Sequence, residues 1–78
     1  MSARPVKRSL TLRGHRTSVT LEDAFWDEFR AIAKRRGVAI NALAAEIDEG
    51  RNYETGLASA IRIFILNDLK AQAAASAP

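Results

Sequence analysis

The sequence has 78 residues and a formal net charge of +3, with 47% hydrophobic residues and no cysteine. A chain of this length and composition forms one small folded domain. The lack of cysteine excludes disulfides and thiolate metal sites, and a single histidine cannot form a zinc site. Because so small a core leaves much surface exposed, we expect oligomerisation to add stability.

Positive charge is concentrated at the amino terminus. Residues 1–20 contain no acid and five bases, which are Arg4, Lys7, Arg8, Arg13 and Arg16. Such a cluster indicates a polyanionic partner, and nucleic acid is favoured over a membrane because no basic amphipathic helix accompanies it. The alternative is a solvated tail, and we expect residues 1–6 to be a disordered arm.

Two short segments alternate between polar and apolar side chains. In a strand over residues 16–21, one face would carry Thr17, Val19 and Leu21, and the other face would carry Arg16, Ser18 and Thr20. Residues 7–12 alternate as well, and they form either a strand or an ordered arm. Gly14 lies between the segments and can supply a turn or a bulge.

A first helix is predicted to begin at Thr20 or Leu21. Thr20 and Asp23 have the spacing of a capping box, which would satisfy the first backbone N–H groups. Three basic residues precede Gly37, as is typical of a helix C-terminus.

Two further helices follow. The second is predicted from about Ile40 to Asp48, and Ala39 stands where a capping side chain would be expected. The third, from about Gly56 to Lys70, is apolar on several sides and is therefore predicted to lie at a subunit interface. We expect a single domain over residues 7–70, a frayed alanine-rich tail over residues 71–78, and no internal repeat.

Catalytic chemistry is not indicated. His15 is the single imidazole, the acidic residues are typical of solvated helix faces, and the glycines are too scattered to form a phosphate loop. We predict a protein that is not an enzyme and that needs no cofactor or metal. We also expect no signal peptide and no membrane span, and hence a cytoplasmic location.

The polar face of the second alternating segment suits DNA. A two-stranded antiparallel ribbon fits the major groove, and pairing two copies of residues 16–21 would direct Arg16, Ser18 and Thr20 towards the bases. Arginine can contact guanine O6 and N7 together, and hydroxyls can contact several bases. The alternatives are solvated strand residues for Ser18 and Thr20 and a phosphate contact for Arg16.

The chain resembles the ribbon-helix-helix DNA-binding proteins, which include the Arc and methionine repressors. The resemblance covers roughly residues 7–70. Within the family, the chain is similar to a small alphaproteobacterial-type subfamily. The segments that carry the likeness are HRTSVTLEDAFWDEFRAIAKRRG, INALAAEID and LASAIRIFIL. It implies a mainly α bacterial protein with a short N-terminal β-ribbon paired across an intertwined homodimer. The third helix is an addition to the simple fold.

The resemblance also implies site residues. The outward strand residues Arg16, Ser18 and Thr20 would contact bases, and the backbone at the start of the second helix would hold a phosphate at Ala39, Ile40 and Asn41. Further phosphate contacts are expected from Lys7, Arg8, Arg13 and His15. The dimer interface is expected to contain Thr17, Val19, Leu21, Leu57, Ile61, Phe64 and Ile65.

These observations predict a homodimeric, sequence-specific DNA-binding transcriptional regulator, with repression as its expected action. One alternative is an antitoxin-type autorepressor, which the short alanine-rich tail disfavours because it is a poor segment for wrapping a toxin. Another is a dimerisation or adaptor module without DNA binding, which the missing cap at Ala39 would suit. Higher assembly on DNA is left open, and no protein partner is indicated.

Overall fold

The computed structural model describes residues 3–76, which form two strands and three helices. In chain order these are β1 (Val6–Leu12), β2 (His15–Leu21), α1 (Asp23–Arg36), α2 (Ile40–Gly50) and α3 (Leu57–Ser76). The predicted fold class, mainly α with a short N-terminal ribbon and a third helix, is confirmed. The predicted disordered arm and frayed tail include residues 1, 2, 77 and 78, which lie outside the described residues.

The two strands form an antiparallel hairpin within one chain. Its loop consists of Arg13 and Gly14, whose φ angles of 51° and 86° are both positive. Positive φ at both loop positions is the requirement of a type I′ turn, which matches the twist of the flanking strands. The register runs from Leu12 opposite His15 to Val6 opposite Leu21, so residues 7–12 are a strand rather than an arm.

The pairing supplies β2 with a partner strand without a second chain. Pairing across a homodimer was predicted because an isolated strand is unstable in water. Here the N–H of Thr11, in β1, donates to Asn41 Oδ1 at 3.1 Å, and the carbonyl of Thr20, in β2, accepts from Arg62 Nη2 at 3.3 Å. The ribbon is therefore complete within one protomer, and its two strands are tied to α2 and α3 respectively.

One face of the hairpin is apolar and packs on the helices. Because the chain reverses direction at the turn, the even-numbered apolar residues of β1 and the odd-numbered ones of β2 lie on the same side of the sheet. The core joins that face to all three helices, and it consists of Leu10, Val19, Leu21, Phe29, Ile32, Ala33, Leu43, Ala44, Ile61 and Ile65.

This core changes the expected role of four residues. Val19, Leu21, Ile61 and Ile65 were predicted to form a dimer interface, but they are fully buried within the chain. The hairpin and the other two helices cover one side of α3. Within the single chain these four side chains belong to the core and leave almost no surface for contact with a second chain.

The start of α1 also differs from the prediction. Glu22 is the N-cap residue, and no side chain caps the helix. The expected capping box does not form because Thr20 remains in β2 and the Asp23 carboxylate accepts a hydrogen bond from Arg8. The end of α1 is as predicted: Gly37 has φ 69°, and its N–H donates to the Lys34 carbonyl at 3.1 Å.

The later helices are longer than predicted. The second, α2, continues to Gly50, and α3 continues to Ser76. Residues 71–76 were expected to fray, but alanine has the highest helix propensity, so the alanine-rich end can extend α3 without tertiary contacts.

The Asp68 carboxylate, in a side chain that is 8% exposed, ties α3 to the end of α1. Asp68 accepts hydrogen bonds from Arg35 at 2.5 Å, Arg36 at 3.0 Å and Gln72 at 2.6 Å. Burial acts to raise the pKa of Asp68, but the hydrogen bonds from these three side chains outweigh it and leave the pKa below its ordinary value. The ionised form therefore stabilises the fold.

We expect Asp68→Asn to destabilise the protein in a pH-dependent way. A lowered folded-state pKa adds stability above the unfolded-state pKa of about 3.8, and this contribution is lost as pH falls through the folded-state value. The difference in unfolding free energy between wild type and variant should be full at pH 7 and should shrink below about pH 3.8. Urea denaturation across this range measures it, with the exposed Glu54→Gln as control, and a gap that is constant with pH would contradict the prediction.

We expect Gly14→Ala to destabilise the protein by about 1 kcal/mol, because a Cβ is unfavourable at positive φ. The matched control is Gly50→Ala in α2, where no atom lies within 4 Å of an added Cβ. Alanine favours helix there, so stability should stay unchanged or rise by about 0.5 kcal/mol. Urea denaturation at one protein concentration measures both variants, and equal losses would argue against the turn assignment.

Candidate nucleic-acid interface

The face of the hairpin opposite the core is polar and solvent-exposed. It carries three side chains from each strand, and the register places Lys7 opposite Thr20, Ser9 opposite Ser18, and Thr11 opposite Arg16. All six residues are exposed, and neither an acid nor a large apolar side chain interrupts them. We call this surface the outer face.

The predicted base-contacting residues lie together on the outer face. Arg16, Ser18 and Thr20 project from β2 to the solvent side, as the alternation of the sequence predicts. The structure adds Ser9 and Thr11 from β1, for which no role was predicted. Their position on the same face follows from the pairing of the strands.

A short repeat in the sequence could have indicated these residues. Residues 7–12 read KRSLTL and residues 16–21 read RTSVTL, so a base, a serine, a threonine and a leucine recur nine positions apart. The repeated base, serine and threonine are the outward residues of each strand.

The outer face is positively charged. Lys7 and Arg16 make no ion pair with any other residue in the range 3–76. The outer face thus presents two cations and four hydroxyl groups to solvent. That combination suits contact with both phosphates and base edges.

Arg8 does not belong to this surface, although it was predicted to contact phosphate. It pairs with Val19 in the register, and this pair points towards the helices. Its guanidinium forms an ion pair with Asp23 and lies 5.4 Å from the ring centroid of Trp26. The charge is compensated inside the protein, so we exclude Arg8 from the interface.

Two other predicted phosphate contacts lie at the tip of the hairpin. Arg13 is in the turn and forms an ion pair with Glu49 at 2.7 Å, and both side chains are more than half exposed. An exposed pair of this kind contributes little stability and can exchange for a phosphate contact. His15 is exposed at the start of β2, opposite Leu12.

The start of α2 lies beside the β1 edge of the hairpin. Ala39 is its N-cap and supplies no side-chain acceptor, so backbone N–H groups of the first turn lack a capping partner. Asn41 does not cap the helix, because its Oδ1 accepts from the Thr11 N–H. Thr11, Arg13, Ala39 and Asn41 line one shallow depression, which brings the predicted phosphate-binding backbone next to the outer face.

Arg62 positions the other end of the hairpin. It donates to Glu22 at 2.8 Å and to the Thr20 carbonyl at 3.3 Å, and it lies 5.5 Å from the ring centroid of Phe25. The hydrogen bond from Arg62 lowers the pKa of Glu22 from its ordinary value. Arg62 thereby connects α3 to the end of β2 and to the start of α1.

The exposed apolar side chains of α3 are not the residues that were predicted to form a dimer interface. Of the remaining predicted interface residues, Thr17 is exposed, while Leu57 and Phe64 are half-buried. The side of α3 that faces away from the core carries Ile63, Leu66 and Leu69, which are 53%, 55% and 42% exposed.

Residues 3–76 contain no cluster of three His, Asp or Glu side chains that could hold a metal ion. No helix in that range is both long enough and apolar enough to cross a membrane.

Comparison with known proteins gives one match. A family model described as a ribbon-helix-helix domain matches residues 5–69, a range that includes both strands, α1, α2 and most of α3. Neither the curated proteins nor the solved structures contain a match to the chain.

Proposed function

Because the chain belongs to the ribbon-helix-helix family, we propose that it is a sequence-specific DNA-binding regulator, acting as a homodimeric repressor in the bacterial cytoplasm. The observation that supports this proposal is the outer face: six exposed polar side chains, two of them cationic, on a two-stranded ribbon. A ribbon of this width fits the major groove of B-DNA.

Base reading is proposed for the β2 side of the outer face. The Arg16 guanidinium can donate two hydrogen bonds to guanine O6 and N7, a contact that discriminates by roughly 1–3 kcal/mol. The Ser18 and Thr20 hydroxyls can donate or accept, and the threonine methyl can contact thymine. These side chains face solvent, so they need not break an internal contact to bind.

Phosphate contacts would hold the ribbon in the groove. We propose that the backbone N–H groups of Ala39, Ile40 and Asn41 bind one phosphate, since they lie at the positive end of the α2 dipole and beside the outer face. Arg13 and His15 at the tip of the hairpin would contact the flanking backbone. Such contacts set the position on DNA and make binding sensitive to salt.

Dimerisation is proposed to bury the outward side of α3. Ile63, Leu66 and Leu69 lie along this side, and each leaves two-fifths or more of its surface in water. Apolar surface removed from water contributes about 25 cal/mol per Å², so a helix pair that covers these side chains gains stability. This interface is consistent with the burial of Ile61 and Ile65 on the opposite side of α3.

Replacing Arg16, Ser18 and Thr20 together by alanine should remove sequence preference while the protein stays folded. Fluorescence anisotropy with the duplex upstream of the protein's own gene, beside a scrambled duplex and at two salt concentrations, measures the change. Arg30→Ala is the charge control, because Arg30 is exposed on α1 and lies outside the hairpin.

Retention of the wild-type preference by the triple variant would refute base reading by β2. Wild-type protein that binds neither duplex at low salt would instead favour the adaptor alternative. Equal loss in Arg30→Ala would show that total charge, rather than the outer face, determines the affinity.

We expect Ile63→Glu combined with Leu66→Glu to convert a dimer into a folded monomer. Both side chains are exposed in the single chain, so the substitution adds charge to the proposed interface without entering the core. Sedimentation velocity measures the association state, and circular dichroism checks the helix content. Glu54→Lys, in the loop before α3, is a control for altered surface charge, and a double variant that remains dimeric would place the interface elsewhere.

A further inference from the structure

The solvent side of α3 carries a regularly spaced row of residues, which we call the α3 seam. Its members are separated by four, three, four and three residues, and all of them are exposed: Ser59, Ile63, Leu66, Lys70 and Ala73. Ile63 and Leu66 leave 53% and 55% of their surface in water. Alternation of three and four gives a repeat of about 3.5 residues, which allows two helices to pack along their length.

The buried side of α3 has the same spacing, and the chain itself fills it. Ile61 and Ile65 are buried in the core, and Asp68 accepts hydrogen bonds from the end of α1. Every residue from 69 to 76 is exposed, so the last turns of α3 extend beyond the core. The helix therefore uses one side within the protomer and leaves the α3 seam for a contact outside it.

We propose that the α3 seam packs against the α3 seam of a second copy, with the two helices antiparallel. In this register Ile63 lies against Leu66 of the second copy, and Ser59 lies against its Lys70. The inference rests on the homodimer of the proposed function. It adds the direction and the register of the two helices, and it makes α3 the element that joins the protomers.

The spacing of the seam fits a two-fold dimer. From Ser59 to Lys70 the intervals are 4, 3 and 4 residues in either direction, so a two-fold axis between Ile63 and Leu66 superimposes the seam on itself. A closed homodimer needs a surface of this kind, because both protomers contribute the same patch. A different protein would need no such symmetry, so the spacing favours a second copy.

Charge favours the antiparallel direction over the parallel one. In a parallel pair each seam residue meets its own equivalent, so two Lys70 ammonium groups would lie together in the contact and repel each other. In the antiparallel pair Lys70 meets Ser59 of the second copy, whose small side chain leaves room for the lysine stem. The dipoles of the two helices are then opposed rather than aligned.

Small residues at the two ends of α3 fit the same register. The antiparallel pair places Ala73 beside Gly56 of the second copy, immediately before its α3 begins. A Cβ added at Gly56 would meet no atom within 4 Å, so this position is open to a neighbouring helix. The alanine-rich end of α3 would then lie along the start of the other copy's helix.

Disulfide cross-linking of the full chain tests the register, because the sequence contains no cysteine. Ser59→Cys and Lys70→Cys are made separately, mixed, unfolded in urea, refolded together and oxidised. The mixture should give a covalent heterodimer, because the two substituted positions face each other across the seam. Ser59→Cys alone should give roughly tenfold less product, since its two thiols lie about 16 Å apart along the helix, beyond the reach of a disulfide.

A control mixture measures cross-linking by random collision. It pairs Ser59→Cys with Arg30→Cys, which is exposed on α1 and lies off the seam. Its yield should match that of Ser59→Cys alone.

A second substitution tests the role of Lys70. Lys70→Leu, made in the Ser59→Cys chain, removes the charge that disfavours the parallel direction. Self-cross-linking of this chain should rise several-fold over that of Ser59→Cys. Lys34→Leu is the matched control, because Lys34 is an exposed lysine on α1, and it should leave the yield unchanged. No rise with Lys70→Leu would contradict selection of the direction by charge.

The outcomes separate the inference from the proposed function. Self-cross-linking of Ser59→Cys as strong as that of the Lys70→Cys mixture would overturn the antiparallel register. A dimer that forms neither disulfide would also overturn it, by placing the interface elsewhere, and would leave the homodimer intact. A wild-type chain that is monomeric in sedimentation velocity would overturn both the homodimer and the inference. DNA binding by anisotropy is measured separately and does not depend on the direction of α3.

Discussion

Positive φ at both Arg13 and Gly14 is the constraint on which the arrangement depends. The resulting two-residue turn allows β1 to fold back on β2 in one register, which sorts every strand residue to one of two faces. A shift of one residue would place Leu10 in solvent and Ser9 against the helices. The local backbone conformation of two loop residues therefore separates the apolar core from the polar surface that we assign to DNA.

The helices then hold the hairpin at both ends and along its inner side. Asn41 contacts β1 near the turn, Arg62 contacts the end of β2, and Arg8 reaches from β1 to Asp23 on α1. These contacts involve side chains on the inner face or backbone groups, so none occupies an outer-face side chain. An edge strand with its polar groups engaged is also less prone to pair with other chains. Rigid support thus coexists with an unobstructed outer face.

Periodicity in the sequence predicted the local features well. The outward position of Arg16, Ser18 and Thr20, the glycine end of α1 and the uncapped start of α2 follow from patterns within a few residues. The features it missed depend on pairing between distant segments. Alternation alone gave both segments an apolar side, but it could not show that the turn aligns these sides or directs Arg8 inwards. Likewise, some apolar residues of α3 lie in the core and others lie on the surface. Which of them are buried depends on the side of α3 that the hairpin and the other helices cover.

The contact between Arg8 and Trp26 has a spectroscopic consequence. Trp26 is the single tryptophan of the chain, and its indole lies against the guanidinium of Arg8 in β1. Separation of β1 from α1 would remove that cation from the ring and change the environment of the chromophore. Intrinsic fluorescence therefore reports the docking of the ribbon onto α1. Read beside the helix signal in circular dichroism, it separates release of the hairpin from melting of the helices without an attached label.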